Sequence, residues 1–229
     1  MTQLDFEFWA GRRVFVTGHT GFKGAWICLA LEALGAKTFG YALKAPDLGA
    51  FNLMNAQQAI AGQTLADIRD AGRLAEAMKA VSPEIVIHLA GQALVAEGYR
   101  DPVGTFETNV IGVLNLLAAA DCCDAVRAIV VVTSDKVYRA NALGGAFKET
   151  DPLGGADPYS ASKAAAELAL ASWRLARGDR PYRFLSARAG NVIGGGDFAQ
   201  ARLTPDIVRA IAKSEILKVR RPDATRPFQ

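Results

Sequence analysis

A glycine-rich turn between an apolar strand and a helix constrains the fold of this chain more than any other feature. The apolar run 14–16 leads into Gly18-His-Thr-Gly-Phe-Lys-Gly24, which places Gly18, Gly21 and Gly24 three residues apart. Glycine permits a tight turn, and it lets backbone N–H groups approach a phosphate. The spacing is one residue wider than G-x-G-x-x-G, so we interpret it as a variant of the dinucleotide-binding fingerprint. The alternative is an ordinary strand-to-helix turn.

The rest of the chain alternates between short apolar runs and helical patterns. This periodicity predicts strands at 13–17, 37–42, 63–68, 84–90, 128–133 and 182–187. It predicts helices at 22–34, 69–81, 103–120, 159–177 and 205–213. The order indicates an α/β fold, a doubly wound (Rossmann) parallel sheet whose ligands bind at the carboxyl ends of the strands.

A tyrosine and a lysine one helical turn apart follow the fifth predicted strand. Tyr159 and Lys163 share one face of a helix that Asp157 is suited to cap and Pro158 to begin. A tyrosine is a poor base at its ordinary pKa of about 10, and a neighbouring ammonium and a nicotinamide ring would lower that pKa. The Y-x-x-x-K pattern also occurs in helices as a solvated pair. Its position after the strand favours redox chemistry on an alcohol.

A hydroxyl, an acid and an amine meet at the end of the same strand, in Ser134, Asp135 and Lys136. A polar loop leaving the sheet would explain them equally well in isolation. Because the tyrosine helix follows, we favour catalysis. The place of these side chains at a carboxyl strand end matters more than their types.

Two positions bear on the choice of cofactor. The acidic residue that usually contacts the adenosine ribose is missing after the second strand, where Lys44 stands instead, so the residues alone leave NAD and NADP open. Asp67 and Ile68 are candidates for an adenine contact. We expect His88 to be a satisfied core histidine, and His19 either to touch the cofactor or to face solvent.

Composition excludes several classes of protein. The 229 residues are 51% hydrophobic, with a net charge of +3 and no run of like charges, which argues against disorder and a nucleic-acid surface. The cysteines at 28, 122 and 123 lack metal or disulfide spacing, so we expect them to pack as small apolar residues in a reducing compartment. No signal peptide is visible, and the apolar runs fall short of a membrane span. A cytoplasmic protein without a metal site follows.

At these motifs the chain resembles the extended short-chain dehydrogenase/reductases that act on nucleotide sugars, the NAD-dependent epimerase/dehydratase family. It is most similar to the 4,6-dehydratase branch of CDP-glucose type, because Lys136 stands where the dTDP-glucose type has glutamate. The matching stretches run almost end to end: 16–24, 67–70, 88–90 with Gln92, 101–110, 133–136, 151–155, 157–163, 187–197 and 224–227. Val137 departs from the cysteine that is common in the family, and we expect it only to pack.

The resemblance implies tightly held NAD and a nucleotide-sugar substrate such as CDP-glucose. Tyr159, assisted by Lys163 and Ser134, would remove the sugar 4-hydroxyl proton while hydride moves from C4 to NAD. Lys136 would then take the C5 proton, Asp135 would protonate the leaving 6-hydroxyl, and hydride would return to C6. As a base Lys136 must be neutral, which requires burial or nearby positive charge.

The same resemblance implies a set of binding residues and a domain division. The cofactor would be surrounded by Gly18, Thr20, Gly21, Phe22, Gly24, Asp67, Ile68, Leu89, Ala90, Thr108, Tyr159 and Lys163. The nucleotide diphosphate would meet Asn191, Arg202, Leu203 and Arg226. Residues 1–186 would form the NAD-binding Rossmann domain, and 187–229 the start of an interleaved, incomplete substrate-binding region.

The resemblance also bears on the assembly of the protein, on its activity and on the alternative functions. The family suggests a homo-oligomer, a dimer or tetramer, that contributes to deoxysugar biosynthesis such as that of lipopolysaccharide O-antigen. Since the family continues beyond Gln229, we expect the cofactor half to form and substrate turnover by this segment to be weak or absent. The alternatives are another nucleotide-sugar epimerase or reductase, which would not need Asp135 and Lys136, and a non-catalytic NAD-binding fragment.

Overall fold

The computed structural model describes residues 6–139, 145–178, 182–219, 222–224 and 228. Within these ranges six strands form one parallel sheet in the order β3-β2-β1-β4-β5-β6, which is the doubly wound order. The strands are β1 (Arg13–Thr17), β2 (Lys37–Ala42), β3 (Gly62–Leu65), β4 (Ile85–His88), β5 (Ala128–Val132) and β6 (Arg183–Ala187). The predicted fold class is confirmed.

Helices connect the strands and cover the sheet. They are α1 (Phe6–Trp9), α2 (Phe22–Ala33), α3 (Ala50–Leu53), α4 (Ala71–Val81), α5 (Val95–Arg100), α6 (Pro102–Phe106), α7 (Gly112–Asp121), α8 (Pro158–Arg177) and α9 (Leu203–Lys213). Short 3₁₀ turns occur at Ala56–Ala59 and Asp135–Val137, and a π-helical turn at Glu107–Ile111 joins α6 to α7. The sequence patterns did not predict α1, α3, α5 or these turns.

Alternate residues of each strand point to opposite faces, and in the central strands β1 and β4 both faces are buried. In β1, Phe15 packs into a core with Leu116 of α7. Val14 and Val16 point the other way and pack with Leu31 of α2. These two layers fix β1 at the centre of the sheet.

The strand register brings the carboxyl ends of β1, β4 and β5 to one edge of the sheet. Thr17 aligns with His88 in β4, and His88 with Val131 in β5. His88 is 2% exposed, and its Nδ1 lies 2.7 Å from the Thr17 hydroxyl oxygen, which confirms the prediction of a satisfied core histidine. The residues that follow these strands therefore meet in one crevice.

Two composition-based expectations need correction. Cys28 and Cys123 are buried as expected, but Cys122 is exposed. The helical stretch 102–121 is long and apolar enough to cross a membrane by length and composition alone, and 44% of its most apolar part is buried inside the fold. Core helices of soluble proteins meet the same criteria, and Leu116 and Leu117 of this stretch are fully buried.

Candidate active site

The glycine turn lies between β1 and α2, against the end of β4. Gly18 has φ +73° and donates its N–H to the Tyr41 carbonyl at 2.8 Å. A Cβ on Gly18 would lie 2.6 Å from the Ala90 backbone nitrogen, and one on Gly24 only 2.1 Å from the Gly18 carbonyl oxygen. Both glycines are therefore required by close backbone approach. The N-cap of α2 is Gly21, which makes no side-chain capping hydrogen bond, and a helix N-terminus of this kind suits a pyrophosphate.

The other side chains of this turn point into the protein rather than toward solvent. Thr20 is buried and donates its hydroxyl to the Leu43 carbonyl at 2.9 Å. His19 is fully buried, with its Nε2 2.8 Å from Gln63 Oε1, so the solvent-facing alternative for His19 is wrong. Burial is the main cause that lowers the pKa of His19, and the hydrogen bond to Gln63 opposes it. Both side chains fix the turn to β2 and β3.

The ends of β2 and β3 lie beside the turn, where the adenosine half of a dinucleotide would bind. Lys44 is exposed after β2. Asp67 is paired with Arg69 at 2.7 Å, and hydrogen bonds from Arg69 lower the pKa of Asp67. Ile68 is buried against Gly112 of α7, so its side chain belongs to the core. Of the two predicted adenine contacts, only Asp67 has a side chain that is not buried.

Ser134, Asp135 and Lys136 lie together at the carboxyl end of β5, as predicted. Ser134 is buried and donates its hydroxyl to Asp135 Oδ1 at 3.0 Å. The Lys136 ammonium lies 3.8 Å from the same carboxylate oxygen, and its side chain is 33% exposed. The expected burial of Lys136 is thus only partial, and the charge closest to it is negative rather than positive.

Tyr159 lies in the first turn of α8, with its ring directed into the crevice. Asp157 caps the helix by accepting the Ser160 N–H at 3.0 Å, as predicted. Tyr159 is 8% exposed and hydrogen-bonds with Ser134. Burial raises the pKa of Tyr159 above its usual value, while Ser134 and the charge of Arg202 oppose that rise. The predicted lowering by a neighbouring ammonium is therefore not present in this structure, because burial dominates.

Lys163 projects from the same face of α8, one turn beyond Tyr159. A Cβ on Gly91 would lie 3.1 Å from Lys163 Nζ and 3.0 Å from Asn109 Oδ1, so a larger residue at position 91 would press on both side chains. Burial and the positive charge of Lys23 lower the pKa of Lys163 to about 8, and Glu167 opposes this. The Lys163 ammonium thus lies beside Gly91 and Asn109, at the segment that follows β4.

The π-helical turn holds the floor of the crevice. Asn109 donates to Ser162 Oγ at 2.8 Å and to the Gln92 carbonyl at 3.0 Å, and accepts from the Gln92 N–H at 2.9 Å. It thereby ties α8 to the segment after β4. Thr108, predicted to contact the cofactor, lies in the same turn and is half-buried. Leu89 and Ala90 both donate their N–H groups to Thr17.

The predicted diphosphate contacts are brought to the crevice in part. Arg202 precedes α9, pairs with Asp197 at 3.1 Å, and acts electrostatically on both Lys23 and Tyr159. Leu203 begins α9 and is 44% exposed. Asn191 forms an isolated parallel β-bridge with Phe228. Arg226 lies outside the described residues.

Three residues that the motifs did not single out also shape this site. Lys23 lies in the first turn of α2, and burial and Arg202 lower its pKa while Asp135 opposes them. Glu167 and Arg188 form a pair at 2.8 Å behind Lys163. The spacing of Glu167, four residues after Lys163, was the signal available in the sequence.

Comparison with known proteins defines the class to which this arrangement belongs. Residues 14–229 match the NAD dependent epimerase/dehydratase family, and the chain belongs to this family. It is 40% identical over 232 residues to a CDP-glucose 4,6-dehydratase from Salmonella typhimurium, covering 99% of this chain and 65% of that protein.

Solved structures agree with this assignment. The chain superposes on dTDP-glucose 4,6-dehydratase from Streptomyces venezuelae, crystallised with NAD, with a TM-score of 0.76 and 27% identity over 88% of this chain and 62% of that one. It superposes on UDP-glucose 4-epimerase from Thermus thermophilus in complex with NAD, with a TM-score of 0.69 and 29% identity over 82% and 58%. The chain spans less than two thirds of the length of each of these relatives.

Proposed function

We propose that this chain carries the catalytic centre of an NAD-dependent dehydratase that converts CDP-glucose to CDP-4-dehydro-6-deoxyglucose. The observation that carries the proposal is the convergence of Ser134, Asp135 and Lys136 with Tyr159 on one crevice. The 40% identity to a CDP-glucose 4,6-dehydratase supports the choice of substrate. An epimerase or reductase would use Tyr159 without needing an acid and an amine beside it.

NAD, when bound, supplies a hydride acceptor for C4 of the sugar and a hydride donor for C6. The chain's own residues then have separable tasks. The backbone of the turn at Gly18 binds pyrophosphate, and Asp67 offers a carboxylate to the adenosine half. Lys163 lies one turn beyond Tyr159 on α8, and we propose that its ammonium meets the cofactor there. Because the close-packed glycine turn fits a dinucleotide and the chain belongs to an NAD-dependent family, NAD is the cofactor that we assign.

Tyr159 takes the proton of the sugar 4-hydroxyl at its phenolic oxygen. Burial alone disfavours the phenolate, since it raises the pKa of Tyr159. Ser134 and the positive charge of Arg202 oppose this and favour the phenolate, and we propose that the Lys163 ammonium adds to them. The base therefore becomes effective when positive charge is added to the crevice.

Asp135 and Lys136 perform the elimination as a pair. The 4-keto group acidifies C5, Lys136 Nζ takes the C5 proton, and the C6–O bond breaks as Asp135 gives its proton to the leaving hydroxyl, which departs as water. This needs a protonated Asp135 and a neutral Lys136. That state is reached when one proton moves across the 3.8 Å pair as substrate excludes water. Lys136 later returns its proton to C5.

The proton balance assigns Ser134 a second task. In one cycle Tyr159 gains the proton of the 4-hydroxyl, and Asp135 loses one to water. Ser134 hydrogen-bonds with both Tyr159 and Asp135, so it connects the group with a surplus proton to the group that lacks one. Proton transfer from Tyr159 through Ser134 to Asp135 would thus restore the starting protonation states without an external acid.

Product analysis tests the proposal. CDP-glucose and dTDP-glucose are supplied separately with NAD, and the 4-keto-6-deoxy product is followed by its absorbance in alkali. We expect product from CDP-glucose with no net change in NAD. In D₂O, deuterium should enter at C5, and Lys136→Met should abolish this incorporation, whereas Lys79→Met on the exposed face of α4 should not.

Other products decide between the alternatives. Formation of a 4-epimer or of a reduced sugar would show that the protein is an epimerase or a reductase instead of a dehydratase. NAD binding without turnover of either nucleotide sugar would favour the non-catalytic fragment. The same measurement decides whether turnover by the 229-residue chain is weak, which stays a prediction, as does the division of the chain at 186/187.

We further propose that the protein is a cytoplasmic homo-oligomer. Support for self-association comes from an apolar surface depression along α6 and the π-helical turn, where the side chains of Val103, Phe106 and Ile111 are exposed. It is lined by Pro102, Val103, Phe106, Glu107, Val110 and Ile111. Sedimentation analysis of the wild type and of Val103→Glu tests this, and a monomeric wild type would contradict it.

A further inference from the structure

A buried carboxylate one turn beyond Lys163 has no part in the chemistry described so far. Glu167 is 5% exposed on α8. Its Oε1 accepts the Thr133 hydroxyl at 2.5 Å, and its Oε2 accepts the Ser186 hydroxyl at 2.9 Å and an Arg188 N–H at 2.8 Å. One side chain thus joins the catalytic helix to the carboxyl ends of both β5 and β6.

These contacts bear directly on the position of Ser134. Thr133, which Glu167 holds by its hydroxyl, is the residue immediately before Ser134 and donates its N–H to the Ala187 carbonyl at 2.9 Å. Asp135, immediately after Ser134, donates its N–H to the Ala189 carbonyl at 3.0 Å. The distance between Ser134 and α8 is therefore set by the bridge through Glu167.

The charge of Glu167 acts on Lys163. The two residues are four positions apart on one helix face, where Cβ atoms are about 5–6 Å apart. Burial and Lys23, from α2, lower the pKa of Lys163 to about 8, and Glu167 acts in the opposite direction. His88, which faces Lys163 from β4, is neutral because burial lowers its pKa to about 3. Arg188 partly offsets the charge of Glu167.

We propose that Glu167 is a positioning residue that keeps Lys163 cationic and fixes Ser134 against Tyr159. Without this carboxylate, Lys163 would lie buried beside the like charge of Lys23 and would lose its proton near neutral pH. A neutral Lys163 cannot stabilise the phenolate. The kinetic consequence rests on the proposed function, but the charge state of Lys163 does not.

Titration of Lys163 tests the proposal without any substrate. The ionisation is followed by NMR of the labelled lysine side chains, with the Lys163→Met variant identifying the resonance. We expect a wild-type midpoint at about 8. Glu167→Gln, which keeps the size of the side chain and removes its charge, should lower this midpoint by about one pH unit. Lys23→Met should raise it.

Asp121→Asn is the matched control. Asp121 is also a buried carboxylate, and it accepts the Tyr182 hydroxyl at 2.5 Å and lies 3.4 Å from Arg177. Arg177 is fourteen positions from Lys163 along α8, or about 21 Å at about 1.5 Å per residue. This variant should lose stability and leave the Lys163 midpoint unchanged. Equal midpoints in the wild type and Glu167→Gln would overturn the proposal.

A double variant guards against misfolding, because Glu167→Gln alone leaves Arg188 buried without its partner. Glu167→Gln combined with Arg188→Met removes both charges, and its Lys163 midpoint should again fall. An unchanged midpoint in this variant overturns the proposal as well. In the pH profile of CDP-glucose turnover, the limb at high pH should move to lower pH in Glu167→Gln. It should return toward the wild-type position in Glu167→Asp. A wild type without turnover would remove the proposed function and leave the titration decisive for Glu167.

Discussion

Alanine at Gly18 and at Gly11 separates the cost of backbone conformation from the cost of close approach. Both glycines have left-handed backbone, with φ +73° at Gly18 and +71° at Gly11. A Cβ on Gly11 meets nothing within 4 Å, whereas one on Gly18 lies 2.6 Å from the Ala90 nitrogen and 2.7 Å from the Leu89 carbonyl carbon. Both alanine variants therefore carry the cost of left-handed backbone, and only Gly18→Ala also carries the cost of a steric clash.

The magnitudes follow from these environments. Left-handed backbone costs a residue with a Cβ about 1–2 kcal/mol, which is the expected loss in Gly11→Ala. In Gly18→Ala the Cβ meets backbone that cannot move freely, because the Leu89 N–H is hydrogen-bonded to the Thr17 carbonyl at 3.0 Å. Overpacking of this kind adds about 1–3 kcal/mol. The free energy of unfolding should thus fall by about 2–5 kcal/mol in Gly18→Ala.

Urea denaturation followed by circular dichroism measures both losses, and calorimetric titration measures NAD affinity. We expect Gly11→Ala to bind NAD like the wild type. Gly18→Ala should bind it more weakly even at temperatures where the variant is folded, since the turn that receives the pyrophosphate is displaced. If the two variants lost the same stability within about 0.5 kcal/mol, the steric argument for the glycine turn would be refuted.

Three further predictions concern buried ionisable groups and a helix cap. Lys163→Met should stabilise the protein by about 3 kcal/mol at pH 7 and weaken NAD binding, because the pKa of Lys163 falls from its usual 10.5 to about 8 on folding. Between pH 8 and 10.5 the unfolded chain keeps the Lys163 proton and the folded protein has lost it, so the stability of the wild type, measured with urea, should rise with pH through this range. A flat profile would contradict the lowered pKa of Lys163. For His88, whose pKa is lowered by burial to about 3, stability should fall as pH drops below 6.5, and His88→Gln should flatten that fall. Asp157→Ala should lower stability by about 1 kcal/mol through loss of the α8 cap, and an unchanged melting temperature would show that the cap contributes nothing.

The main elements of the fold could be predicted from the sequence because their signals are local. The apolar run of β1 and the cap-and-proline start of α8 are complete within a few residues, and both were located to within one residue. Strand β3 ends earlier than predicted, at Leu65, because Asp67 and Asp70 turn the chain and Asp70 caps α4. Polar capping thus overrode the apolar pattern that continues to Ile68.

The site was predictable only where its parts are contiguous. Ser134, Asp135 and Lys136 are adjacent in the sequence, so their meeting needed no tertiary information. The bridge from Glu167 to Arg188 joins residues on different elements, and neither its hydrogen bonds nor its burial has a local signature. The π-helical turn that directs Asn109 into the crevice was hidden for the same reason, since a single inserted residue leaves the helical periodicity almost unchanged.

Burial shifts the pKa values of Tyr159 and Lys163, both on α8, in opposite directions, and both shifts oppose catalysis. It raises the pKa of Tyr159 and lowers that of Lys163, so each tends toward its neutral form. Positive charge brought by a cofactor favours the phenolate, but the same charge disfavours the ammonium of Lys163. A buried negative charge on the far side of Lys163 resolves the conflict, because it stabilises the ammonium without lying against the phenol. Glu167 is the carboxylate in that position, which is why a residue that touches neither proposed substrate nor cofactor should control the pH range of the reaction.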